Sequence, residues 1–255
     1  MESLPTYEFQ NPVDARGRNA LIAHPDGRRI GAHAPNTLLN HEKIGKAHSY
    51  LMDVVTSQFE SFVESNRDGL HGKALQVQAE KVVAMIKQAQ KFAIDETRSH
   101  RVNLQMRARE ALTPIPEQPN AHVRAEIRAN FRAKSQPEQI DMLLSADYNL
   151  AASVLELGRD HFSIPADVWK RFEDHAMAVI HVRKTALDAS NTLQSTPENI
   201  TAAGVDITAA MHQAEKAVQN FKSEFAVLDD AETVLQNIVA MQALISGKDA
   251  SEILQ

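Results

Sequence analysis

The chain has 255 residues, of which 43% are hydrophobic, 24% charged and 5% aromatic, with no cysteine and a formal net charge of -6. That length suits one large or two small domains with a substantial buried core, and the thin aromatic content argues against a sandwich or barrel and for alanine-rich helix packing. The missing cysteines exclude disulfide staples and thiolate metal sites and fit a reducing compartment, so a cytoplasmic setting during synthesis is expected.

No run of about 18 apolar residues occurs, so neither a signal peptide nor a membrane span is expected. The charge is unevenly placed. Arg98 to Lys134 holds eight Lys or Arg against three acids, and Asp188 to Gln255 holds three Lys against ten acids. A basic middle and an acidic end suit docking between opposite patches.

Residues 1–35 contain Pro5, Pro12, Pro25 and Pro35 with Gly17, Gly27 and Gly31, and they lack helical periodicity. They read as an extended N-terminal arm. Within it, Asn19 to Ala23 and Arg28 to Ala32 flank His24-Pro25-Asp26-Gly27, where Pro presets φ and Gly accepts a positive φ. A small β-hairpin is expected there, with an irregular loop as the competing reading.

Residues 36–113 read as a helical hairpin. Ile44, Ala47, Leu51, Val54, Val55, Phe59, Phe62 and Val63 recur at spacings of three and four, the mark of one buried helix face. Asp68-Gly69 and Gly72 break that helix. A second helix runs to Ala111 on a seam of Leu75, Val82, Ile86, Ala89 and Ala93, and stops at Pro114-Ile115-Pro116. A short connection makes the two antiparallel.

Residues 114–162 read as a basic subdomain of short helices. Asn120 opens one, Ser135-Gln136-Pro137-Glu138 forms a capping box for the next, and Asp147 caps a third. Ile140, Leu143, Leu144, Leu150, Val154 and Leu157 supply its core, and Gly158 closes it.

Residues 163–247 read as a pair of long helices, followed by a tail at 248–255. The first carries Val168, Trp169, Phe172, Ala176, Val179, Ile180 and Leu187 on one face and continues towards Gln194. The second is expected to start at Thr196-Pro197. Its apolar positions Ile200, Gly204, Ile207, Met211, Ala214, Val218, Phe221, Phe225 and Leu228 alternate spacings of four and three, the seam of a coiled coil. Gly247 caps it. The expected fold class is therefore all-α, a bundle of long antiparallel helices resembling a coiled coil.

Catalytic and metal motifs do not emerge from spacing. Among eleven histidines, His41 and His48 lie a heptad apart and His175 and His181 six apart, so neither pair has the spacing of a site on one helix. None of the 18 glutamates begins a Glu-x-x-His pair, and His-Glu-x-x-His does not occur. Gly45-Lys46, Gly72-Lys73 and Gly247-Lys248 lack the Ser or Thr and the earlier glycine of a phosphate loop. No nucleophile elbow or dinucleotide fingerprint occurs, and Asp229-Asp230 reads as a solvated acidic face. No cofactor is expected.

One binding signal remains. Arg124, Arg128 and Arg132 form a stripe at i, i+4 and i+8 that can meet phosphates or an acidic partner. The adjacent Val123, Ile127 and Phe131 give the plainer reading of a surface helix, and a pI near 6.0 disfavours a dedicated nucleic-acid domain.

The run Val123 to Leu157, with Ala125-Glu126-Ile127-Arg128-Ala129-Asn130-Phe131-Arg132 and Ala151-Ala152-Ser153-Val154-Leu155, resembles helical proteins encoded among tailed-bacteriophage structural genes. The likeness covers about 35 residues and transfers no functional residue; it implies a role in a virion or its assembly. The expectation is a non-enzymatic structural protein that oligomerises through Ile207, Met211, Val218, Phe221 and Phe225, or contacts neighbouring virion proteins, and clasps a neighbour with its arm. The rivals are a nucleic-acid-binding or regulatory helical module, and a helical enzyme whose site assembles only in three dimensions.

Overall fold

The structure, a computed structural model, describes residues 6–114 and 121–254, without the side chains of Val13 and Ala121. The expected Ile115-Pro116 stop, the Asn120 start signal and the first five residues of the arm lie outside them. The chain is predominantly helical with a small antiparallel sheet at its N-terminal end. It divides into two compact units: residues 1–104 with 224–255, and residues 105–223.

The first unit opens with β1 (Glu8–Gln10), β2 (Val13–Asp14), β3 (Gly17–Ala23) and β4 (Arg29–Pro35). β3 is central: β4 pairs with one edge from Ala23↔Arg29 to Gly17↔Pro35, and β1 and β2 follow one another along the other edge. The β3–β4 hairpin turns at the expected His24-Pro25-Asp26-Gly27, where Gly27 has φ 93° and its N–H donates to His24 O at 2.9 Å. Gly17 sits where a Cβ would lie 2.3 Å from Ala34 O, so only glycine fits this start of β3.

The N-terminal arm carries the expected hairpin, and two further short strands, β1 and β2, pair with it. β1 and β3 lie against α2 (Gly45–Arg67), where Phe9 stacks on Phe59 with ring centroids 5.8 Å apart and Tyr7 meets Phe62 edge-on. The Tyr7 N–H donates to Asn66 Oδ1. Phe9 on β1 and Tyr7 just before it cover the face of α2 that would otherwise be wet.

Before α2 comes the short α1 (Asn36–Leu39), and after it α3 (Gly72–Ala111). The expected faces are buried: Leu51, Val55, Phe59, Phe62 and Val63 on α2, and Val82, Ile86, Ala89 and Ala93 on α3. The third long element of this unit is the second half of α9 (Ile207–Ser246), which buries Leu228, Ala231, Val234, Ile238 and Met241. Gln76 donates to Ser246 O, Gln90 pairs with Gln242 at 2.7 Å, and Arg101 reaches Glu232, so α3 and α9 are antiparallel. His48 meets Thr97 across α2 and α3. The result is a three-helix bundle with a sheet on α2.

The second unit holds α4 (Ala121–Arg132), α5 (Gln136–Leu144), α6 (Tyr148–Leu155), α7 (Ala166–Thr185) and α8 (Leu187–Ser190). The expected caps form: Glu138 Oε2 accepts from Ser135 N–H and Oγ–H, and Asp147 accepts from Leu150 N–H. Phe131, Leu143, Val154, Trp169 and Phe172 share one core. α7 stops at Ala186, which has φ 51°, rather than continuing towards Gln194. Helix α9 begins at Ile207, not at Thr196-Pro197: Gly204 turns the chain at φ 103°, Asp206 Oδ1 accepts from Ala209 N–H, and Thr192 bridges Val205. Gly204 is thus part of a loop and not of a helical seam.

Candidate functional site

The residues singled out from sequence divide sharply. Within the second unit Val218 is buried with Ala178 and Ala214, and Met211 packs beside them, so this stretch of α9 is used against α7 of the same chain. Phe221 lies under the Arg107 guanidinium at 5.7 Å and is half-buried, as is Phe225. Ile207, at the start of the helix, is exposed.

The arginine stripe is occupied from inside. Arg124 and Arg128 both bond Glu156, just past the C-terminal end of α6, at 3.0 and 2.6 Å, and Arg128 also donates to Ser153 O. Hydrogen bonding from Arg124 holds the Glu156 carboxyl below its ordinary value; burial opposes this, and Arg128 adds to the lowering. Arg132 lies over the Phe162 ring at 5.2 Å. An acidic group of the same chain thus meets two of the three arginines.

A cluster that spacing did not reveal assembles in the first unit from three elements. His41 lies in the turn between α1 and α2, His100 on α3 and Glu224 on α9, with one donor atom of each within 4.8 Å of the others. Nε2 of His100 lies 3.1 Å from Glu224 Oε2, and Nε2 of His41 lies 3.4 Å from the same oxygen. The two rings are tilted with centroids 5.0 Å apart.

The local sequence explains each position. The turn at His41 is held by Gly45 N–H donating to His41 O at 2.9 Å. Gly45 itself packs so tightly on α1 that a Cβ would lie 2.4 Å from Leu39 O. His100 continues the buried row Ala93, Thr97, Leu104 at spacings of three and four, and Glu224 lies one turn before buried Leu228. A polar residue on an otherwise apolar helix row was the legible trace of this site.

The backbone N–H groups of Lys43 and Ile44 approach His41 Nδ1 at 3.3 and 3.4 Å, which assigns the proton of neutral His41 to Nε2. His100 is almost wholly buried, and its Nδ1 has no hydrogen-bond partner among the described residues. Burial lowers the His100 pKa, His41 adds to this, and Glu224 opposes it. A neutral imidazole keeps a lone pair for a ligand.

A second feature of the first unit is the outer face of α3. Val77, Met85, Phe92 and Val102 are 51, 59, 47 and 49% exposed, and they fall within about a third of the helix circumference at the standard 100° per residue. Lys81, Gln88, Asp95 and Ser99, all exposed, lie between them on the same strip. In the second unit, a polar groove is lined by Asp174, His175, His212 and Lys222 among others, with Lys222 on Asp174 and His175 on Ala146 O. No helix of the described residues is long and apolar enough to cross a membrane. No family model, no curated protein and no solved structure matches this chain.

Proposed function

We propose that the chain is a non-enzymatic structural or assembly protein, virion-associated, that pairs with a second copy of itself through the outer face of α3. The observation that carries this reading is the strip of Val77, Met85, Phe92 and Val102, four large apolar side chains about half exposed on one helix. Scattered apolar residues are ordinary on a surface, but a helical row of them marks a contact face.

The charges on the strip choose the occupant. A two-fold axis at Gln88 sets Lys81 of one copy opposite Asp95 of the other, Met85 close to Phe92, and Ala74 opposite Val102. Such self-complementarity is what an isologous antiparallel pair requires. The pairing stretch from 74 to 102 is roughly 42 Å long at the standard rise. The likeness of residues 123–157 to helical proteins of tailed-bacteriophage structural genes supports the virion association.

Light scattering coupled to size exclusion on the full chain tests this. The wild type runs as an even-numbered multimer, Phe92→Glu and Lys81→Glu dissociate it, and the charge swap Lys81→Glu with Asp95→Lys restores it. A charge swap that associates no better than Lys81→Glu overturns the antiparallel pairing.

A further inference from the structure

We propose that His41, His100 and Glu224 bind one divalent transition-metal ion of the zinc class, which pins the α1–α2 turn to α3 and α9. A tetrahedral ion with bonds of about 2.0–2.2 Å to imidazole nitrogen and carboxylate oxygen has ligand-to-ligand edges of roughly 3.3–3.5 Å. The two nitrogen-to-oxygen edges here are 3.1 and 3.4 Å, and the remaining edge is no longer than 4.8 Å. A small turn of the less buried His41 ring closes that third edge.

Donor chemistry selects the ion. Two imidazoles and one carboxylate suit zinc and its first-row neighbours, whereas calcium and magnesium take shells of oxygen. Burial grades across the site: the His100 side chain is 3% exposed, His41 11% and Glu224 34%. Two ligands are thus anchored in the bundle, while solvent reaches the carboxylate side and can supply a fourth ligand. A carboxylate ligand also brings negative charge to set against the ion.

Protons balance without loss to solvent. When Nε2 of each neutral ring turns its lone pair to the ion, its proton moves to Nδ1. At His100 the contact of Nε2 with Glu224 gives way to the shared ion, and the proton passes to Nδ1, which has no partner among the described residues. At His41 two long contacts from Lys43 and Ile44 are given up, and these are weak at 3.3 and 3.4 Å. The competing description, a carboxylate gripped by two imidazole N–H groups, leaves the same distances but takes up no metal.

The test uses the full chain stripped with a chelator and then titrated with zinc by calorimetry and with cobalt by visible absorption. One equivalent per chain is expected, with the strong cobalt bands of a four-coordinate site. Glu224→Gln and His41→Gln, each checked for native helicity, weaken binding by about 100-fold or more, because each removes a direct ligand where loss of an outer-shell partner alone costs about 10–100-fold. Imidazole NMR resonances of the wild type locate the ion independently of any variant: those of His41 and His100 shift on zinc addition. Failure of the wild type to take up either metal, variants that bind as tightly as the wild type, or shifts confined to other histidines would overturn the assignment.

Discussion

Acidification should destabilise the first unit through His48. The side chain is fully buried on α2; its Nε2–H donates to Thr97 Oγ1 at 2.9 Å, and that hydroxyl donates onward to Ala93 O at 2.7 Å. This chain leaves Nδ1 as a lone pair inside the bundle, without a partner among the described residues. Burial pushes the His48 pKa down from 6.5 to about 4. Because the folded value lies below the unfolded one, neither state carries the proton above pH 6.5 and nothing is lost there.

Below pH 6.5 the unfolded chain protonates first, so stability falls with pH and the loss is complete below about pH 4. At ~1.4 kcal/mol per pH unit the full loss is about 3 kcal/mol, and at pH 5 about 2 kcal/mol. Urea unfolding of the wild type and His48→Gln at pH 7, 6, 5 and 4 measures it. Glutamine keeps a donor for Thr97 and cannot titrate, so the difference between the two curves isolates His48. Equal pH dependence in both proteins would refute the reasoning.

Two smaller perturbations probe the backbone. Gly45→Ala places a Cβ 2.4 Å from Leu39 O and should lower stability by about 1–3 kcal/mol in thermal unfolding; an unchanged midpoint would mean that α1 does not approach α2 as described. Ala186→Gly relieves a left-handed residue at φ 51° in an exposed position. It should raise stability by about 1 kcal/mol, and a loss would mean that Ala186 is ordinary helix.

The helical hairpin was legible because its buried rows are long and regular: Leu51 to Val63 on α2 and Val82 to Ala93 on α3 repeat at three and four without interruption. The β3–β4 turn was legible from Pro25 and Gly27, and the α5 and α6 starts from Ser135 and Asp147. What failed was context. Nothing in residues 8–14 marks two more strands, because their stability comes from β3 and from Phe9 lying on Phe59, contacts some 50 positions away in the chain.

The apolar repeat at Ile200 and Gly204 extended a helix on paper into a segment that Gly204 and Asp206 fold as a loop and a cap. The same repeat could not tell a seam used within the chain, as Val218 is used against Ala178, from one used between chains. The His41–His100–Glu224 cluster escaped for a different reason. Spacing searches find ligands on one helix, and here each of three elements supplies a single ligand.

Self-association through α3 is the central claim, and a cysteine-free chain offers a direct measurement of it. Gln88→Cys puts a single thiol on the proposed two-fold axis, while Lys87→Cys puts one about 100° round the helix. Under mild oxidation Gln88→Cys should form a disulfide-linked dimer in high yield and Lys87→Cys should not. A Gln88→Cys protein that stays monomeric on a non-reducing gel, or cross-links no better than Lys87→Cys, would contradict the account.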